Sequence, residues 1–493
     1  MTRLDWEKLL CEMRIRDACS ENKKITANDN PIRNRFDEDY DRIIYSSSLR
    51  RLQDKTQVFP LQQNDFIRTR LTHSLEVSAL GESIAWQIVD KLRGEKKDEF
   101  FAQNCENLYE LKKLPSLVRV ACLVHDLGNP PFGHYGEDII KKWFKNYFES
   151  NKKGQSEPSD LDSAVNKLTE KQKNDFLRFD GNAQNLHILS KLQFLNDEYG
   201  MNFTLGTLAA LMKYPYDSSH KLAEKKQKFG YLQSEKKIYQ KIYELTGVGE
   251  GIRHPETYII EAADDIAYKV ADLEDGIKKG LLKWEDVYTE ELQAALKSMT
   301  EKHDGYPYKE KIEGNKAKDI PGKDLIQYQN LKIYLQGTMV RIAVDNFINH
   351  YEEIMSGKYD RGQSLIEDAN LKEVLKILDS LTRKYCFAST EVLELELRGE
   401  QVISDLLDLF VPAICRVGKT DRARDRNQKL IYLISENFAY VHCLNKGDAH
   451  ARDWRSRISE LDIYSRLQLV VDFISGMTDS YAVSLHKKLK NLS

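Results

Sequence analysis

Four residues of this 493-residue chain could share one divalent ion: His73, His125, Asp126 and Asp264. Imidazole nitrogens and carboxylate oxygens are both good ligands for such a cation. His125 and Asp126 stand side by side where the apolar run Val120–Val124 meets Gly128, Asn129, Pro130 and Pro131, residues that stop a helix. Successive side chains on a helix point about 100° apart, so one ion that meets both must sit at the helix end. His73 lies near the start of an amphipathic stretch, and Asp264 in Glu261-Ala-Ala-Asp264-Asp265 of another. Two neutral imidazoles and two carboxylates leave positions open for water and a substrate oxygen. A site of that kind lowers the pKa of bound water and polarises a phosphoryl oxygen. Each piece alone has a plainer use: His73 could cap a helix, and Asp264-Asp265 could be a polar stripe. Their occurrence together points to a metal.

Asp264, Tyr268 and Asp272 recur at i, i+4 and i+8 and form one row on a single helix face. Two carboxyls and a phenol flanked by Ala and Ile are costly to bury without partners. A metal at the Asp264 end and a polar ligand along Tyr268 and Asp272 would supply them. Asp265 competes for the ligand position, and the row favours Asp264. His134 and Glu137 sit at i and i+3, close enough for the carboxylate to orient the ring. A histidine so oriented is a competent general acid or base near neutral pH. The plainer use of His134 is a bond from the start of a helix to the loop before it.

The elements that must position these groups read as helices. Leu71–Leu92, Leu114–Leu127, Tyr135–Phe148, Thr257–Gly280, Leu325–Tyr351 and Leu461–Leu489 carry apolar residues at three- and four-residue spacing, while alternating runs are short and few. The expected fold is all-α. A polar insertion is expected at about 149–173, and a polar linker at 302–323 carries Gly305, Pro307, Gly314, Pro321 and Gly322. The linker divides a catalytic helical core, 1–301, which contains the insertion, from a C-terminal helical region, 324–493, expected to complete the site and oligomer contacts.

The order His, His-Asp, Asp resembles the HD-domain metal-dependent phosphohydrolases. Longer strings narrow the resemblance: Asp41–Val58, His125-Asp-Leu-Gly-Asn-Pro-Pro-Phe-Gly-His134-Tyr-Gly-Glu137, Phe179-Asp-Gly-Asn182-Ala-Gln184-Asn, Glu261–Tyr268 and Asp472–Asp479. Together they resemble the deoxyguanosinetriphosphate triphosphohydrolases, the dGTPases, from about Arg35 to Leu489. The resemblance implies an all-helical, commonly hexameric enzyme that cleaves dGTP or another dNTP between the 5′ oxygen and the α-phosphorus, releasing a deoxynucleoside and tripolyphosphate. It implies one Mn²⁺ or Mg²⁺ per subunit on His73, His125, Asp126 and Asp264, with His134 and Glu137 catalytic. Tyr268 would stack on the deoxyribose and crowd the 2′ position. Gln53 and Asp272 would read the 3′-hydroxyl, and Arg70, Asn182 and Lys213 would hold the phosphates. An arginine of the Arg452–Arg457 cluster could reach a neighbouring subunit. No string specifies guanine. Rival readings are a broad or effector-activated dNTPase, an HD phosphohydrolase acting on monophosphates or cyclic nucleotides, and a nucleic-acid-binding module on the same scaffold.

Composition fits this reading. The net charge of −3 excludes a chain that is basic throughout and bound to nucleic acid for that reason; regulatory single-stranded DNA or a dNTP effector is an added expectation. Arg416–Lys429 is locally basic, but Asp421 and Asp425 interleave, as on a solvated helix face. Without an apolar run of about 18 residues no membrane span is expected. Seven scattered cysteines, none in a CxxC pair, read as reduced thiols in a cytoplasmic protein.

Overall fold

The computed structural model describes residues 3–20, 32–59, 66–95, 97–150, 165–193, 197–302, 320–360, 362–417, 425–444 and 454–491. Among these, every extended regular element is a helix, and β pairing is limited to isolated bridges such as Thr56 with Thr69. The fold is all-α, as the apolar periodicity requires.

The helices that bear on the site, numbered in chain order, are α1 (Arg35–Ile44), α2 (Arg70–Gly94), α3 (Leu108–Val124), α4 (Gly133–Ser150), α5 (Gly181–His187), α6 (Pro255–Lys278), α7 (Lys323–Asn349), α8 (Thr390–Cys415), α9 (Glu436–Cys443), α10 (Ile463–Ser475) and α11 (Asp479–Lys490). One apolar core joins α2, α3, α6 and α7 through Val77, Ile84, Leu117, Val118, Ala263, Ile266, Leu335 and Met339. A second joins α4, α8, α10 and α11 through Phe144, Ile403, Phe410, Leu467, Val470 and Ala482. Each fully buried Leu, Ile or Phe contributes roughly 1.5–3 kcal/mol, so both cores are well anchored. The short segment from His125 to Phe132 leaves α3, in the first core, and enters α4, in the second. The His-Asp pair therefore sits at the seam between them.

One expectation needs correction. The single helix expected over Leu461–Leu489 is two, α10 and α11, broken at Gly476. Thr478 starts the second by accepting a hydrogen bond from Tyr481 N at 3.2 Å, an N-cap that outcompetes the continuing apolar period. Helix α8, long and central to the second core, was not singled out by the sequence. Of the expected insertion, 151–164 lie outside the described residues, as do 303–319 of the linker and 418–424 of the basic stretch. Helix α7, beyond that linker, packs on α2 and α6.

Candidate active site

Each presumed ligand is delivered by a helix terminus or a helix face. At the start of α2, Thr69 Oγ1 accepts from Thr72 N at 3.3 Å while Thr72 Oγ1 accepts from Thr69 N at 2.9 Å, a reciprocal cap. It fixes His73 in the first turn, buried. Helix α6 begins with Pro255, preceded by His254, whose Nδ1 accepts from Glu256 N at 3.2 Å. Further along α6, Asp264 Oδ1 lies 3.0 Å from His73 Nε2 and 3.6 Å from His125 Nε2.

His125 follows the last turn of α3. Its Nδ1–H donates to the Cys122 carbonyl at 2.7 Å, which fixes the tautomer and turns Nε2 inward. That Nε2 is buried without a hydrogen-bond partner and lies 3.5 Å from Asp126 Oδ1. Ligand atoms of His73, His125 and Asp126 all lie within 4.8 Å of one another; Asp264 meets the two imidazoles from the other helix. Burial opposes a charge on His125, yet Asp126 and Asp264 outweigh it and push the imidazole up to about 9. Burial likewise opposes ionised Asp126, but His125, Arg70 and His73 hold it well below the usual carboxylate range. The cluster draws positive charge to its centre, and an orphaned nitrogen beside two carboxylates fits a divalent ion. Asp265 points elsewhere: its Oδ2 accepts from Ser364 Oγ at 3.0 Å, and burial pushes it up to about 6.

A second layer holds the pair. Asn129 Nδ2 donates to Asp126 Oδ1 at 2.6 Å, and the buried Lys55 Nζ donates to the Asn129 carbonyl at 2.5 Å. Arg70 Nη1 donates to Asp126 Oδ2 at 2.7 Å. A Cβ on Gly128 would come within 2.0 Å of the Gly181 carbonyl oxygen, so the tight approach of α5 to the His-Asp turn requires glycine. Phe132 and Gly133 both have positive φ, 62° and 60°. A bulky side chain is strained there. Asp479 of α11 holds the turn: its Oδ1 accepts from Phe132 N at 3.0 Å and its Oδ2 from Thr56 N at 2.9 Å.

A cavity of about 230 Å³ opens beside the cluster. Its wall carries His125, Asp126, Asp264, His134, Asn182 and Lys213. His134 is exposed, its Nδ1 3.3 Å from the buried Glu137 Oε2. Burial opposes charge on Glu137, but His134 and Lys228 keep it below the usual range. Lys213 pairs with Glu261 at 3.0 Å, and Asn182 Nδ2 donates to Asp180 Oδ1 at 2.9 Å.

Other expected contacts lie outside this wall. Arg70 backs Asp126. Gln53 is exposed, accepting from Thr69 Oγ1 at 3.4 Å. Tyr268 and Asp272 continue along α6 beyond Asp264 as the spacing requires. Asp272 is buried and thereby pushed up to about 7. Of the C-terminal basic cluster, Arg452 lies outside the described residues, Arg455 donates to the Ile434 carbonyl and Arg457 pairs with Glu460. Sequence reasoning missed Lys228. It lines the cavity and joins Glu137 Oε2 at 2.9 Å to Asp180 Oδ1 at 3.6 Å. Nothing in Lys225-Lys-Gln-Lys228 marks it out.

Comparison with known proteins fits this geometry. Residues 70–191 match the HD domain, and 412–488 match the phosphohydrolase-associated domain. A deoxyguanosinetriphosphate triphosphohydrolase-like protein of Listeria innocua is 36% identical, over 99% of this chain and 100% of its own. One from Synechocystis is 32% identical over the same shares. A Yersinia pestis deoxyguanosinetriphosphate triphosphohydrolase is 34% identical over 92% of this chain and 93% of its own. The chain belongs to the dGTPase family of HD-domain phosphohydrolases. It is a metal-dependent phosphohydrolase. In this dGTPase-family chain the HD match holds His73, His125, Asp126, His134, Glu137 and Asn182, and α6 brings Asp264 from beyond it. The associated domain supplies Asp479. Among the described residues no helix is long and apolar enough to cross a membrane.

Proposed function

We propose that this chain hydrolyses deoxynucleoside triphosphates, dGTP foremost, to the deoxynucleoside and tripolyphosphate. The observation that carries this is one cavity whose wall joins the His125–Asp126–Asp264 cluster to His134, Lys213, Asn182 and Lys228. A metal cluster, a proton-transfer group and a phosphate-binding set there face one volume. The names of the relatives support the substrate class.

His73, His125, Asp126 and Asp264 would hold one divalent ion, Mn²⁺ or Mg²⁺, which when bound withdraws charge from the α-phosphoryl group. Glu137 holds His134 through Nδ1, leaving Nε2 to pass a proton between the cavity and the reacting oxygens. Lys213, Asn182 and Lys228 present donors to phosphate oxygens, and Arg70 steadies Asp126 and offers a further guanidinium. With the α-phosphate at Asp264, the sugar extends along α6, where Tyr268 crowds the 2′ position and Asp272, with Gln53, reads the 3′-hydroxyl. A site built on that hydroxyl rejects an analogue lacking it. The enzyme is cytoplasmic and homo-oligomeric, a hexamer in this reading, with single-stranded DNA or a second dNTP as its candidate regulator.

Product analysis tests this. The purified chain is incubated with dGTP, dATP, dCTP, TTP and GTP in Mn²⁺ or Mg²⁺. Deoxynucleoside plus tripolyphosphate, fastest from dGTP and absent from GTP, is the expected result. Pyrophosphate or stepwise phosphate release overturns cleavage of the bond between the 5′ oxygen and the α-phosphorus.

A further inference from the structure

A second histidine–carboxylate cluster lies away from the catalytic cavity. His187 ends α5, His442 lies on α9 and Asp472 on α10. Ligand atoms of all three lie within 4.8 Å of one another. Asp472 Oδ2 is 3.1 Å from His187 Nε2 and 2.7 Å from His442 Nε2. Ligand atoms around a tetrahedral ion with bonds of about 2.0–2.2 Å stand about 3.3–3.6 Å apart, so Asp472 Oδ2 would draw back slightly from both rings to admit one.

The surroundings are built as a metal site's outer layer is built. His187 Nδ1 faces Glu235 Oε1 at 2.9 Å, the carboxylate–imidazole arrangement that orients a metal-binding ring. Asp472 Oδ1 is fully occupied elsewhere, accepting from Gln184 Nε2 at 2.9 Å and Gln468 Nε2 at 3.0 Å. This leaves Oδ2 aimed between the two imidazoles. Asp472, His187 and Glu235 are buried. A small cavity of about 80 Å³ borders Asp472 beside Ser435 and Asn437 and gives a small ion an approach. His187 lies within the HD match, whereas His442 and Asp472 lie within the associated-domain match.

We propose that His187, His442 and Asp472 form a second metal site, structural and of zinc type, that staples the phosphohydrolase-associated domain to the HD domain. Two imidazoles and one carboxylate suit Zn²⁺, with water in the fourth position. Without the ion, His187 faces a carboxylate through each ring nitrogen. Zinc would displace to solvent any proton on the Nε2 atoms that face Asp472 and keep the His187 Nδ1–H on Glu235. The site needs no turnover and is independent of substrate identity.

Zinc content and cobalt spectra of the full chain test this. The H125A/D126N variant, which removes two catalytic-site ligands, is equilibrated with Zn²⁺ and freed of excess. We expect it to keep one zinc per chain, to melt at higher temperature with Zn²⁺ than with chelator, and to give intense visible bands with Co²⁺. Adding H442A should remove the zinc, the bands and the thermal shift together. Less than half an equivalent of zinc in H125A/D126N overturns the proposal, and needs no second variant. Zinc retained unchanged after H442A also overturns it.

Discussion

The two histidine–carboxylate clusters use the same side chains to opposite ends. Around His125, a buried ring nitrogen is left without a partner and the cluster lines a cavity of about 230 Å³. Around His187, both ring nitrogens are engaged and the adjoining cavity is about 80 Å³. The first leaves a ring nitrogen unpartnered beside a cavity, and the second engages both nitrogens of its central ring internally. What decides between them is the arrangement of partners, since the ligand types are the same.

Single substitutions should separate the two. Asp126→Asn should lower dNTP turnover by about 10³-fold or more, equivalent to several kcal/mol, with little change in melting temperature, as steady-state rates and calorimetry would show. His187→Gln should do the reverse: about 3–5 kcal/mol of stability lost by removing the imidazolium that buried Asp472 and Glu235 share, and turnover per folded molecule within about tenfold. A large rate loss without destabilisation in His187→Gln would break the comparison.

Helix α6, which carries Asp264, offers a pH test. Burial holds His254 down to about 4 against an ordinary 6.5, and it serves as the helix N-cap in neutral form. Between those values the unfolded chain binds the extra proton. This contribution is therefore intact above pH 6.5 and lost as pH falls toward 4, by up to ~3 kcal/mol. His254→Asn retains a capping side chain and should flatten that part of the stability profile in denaturant titrations. The smallest effect is expected at Asn129. Asn129→Ala frees Asp126 Oδ1 and should cost about 10–100-fold in metal affinity or turnover, read by titrating activity with Mn²⁺.

Which side chains would gather around His125 was legible because they leave local marks: a His-Asp pair at a helix stop, and an acidic row at i, i+4 and i+8 that favours Asp264 over Asp265. The all-α class was legible from the apolar period. The break at Gly476 was not, since Asp472 to Asp479 keeps that period across a Thr cap. Lys228 was invisible because it reaches Glu137 across 91 residues and stands among other lysines. Arg70 was expected at phosphate, and in the fold it lies on Asp126, a pairing of residues 56 apart that no string encodes. Long-range partners are what sequence spacing leaves out, and the His187 cluster, drawn from α5, α9 and α10, is assembled wholly from such partners.

Asp479 joins residues far apart in the order of synthesis. It lies 347 positions after Phe132 and 423 after Thr56. A ribosome working from the N-terminus delivers the His-Asp helix early and its clasp late. Domains set in that order as they emerge, so the strained turn presenting His134 waits for α11. A nascent chain thus carries His125 and Asp126 long before it carries the carboxylate that clasps the turn after them.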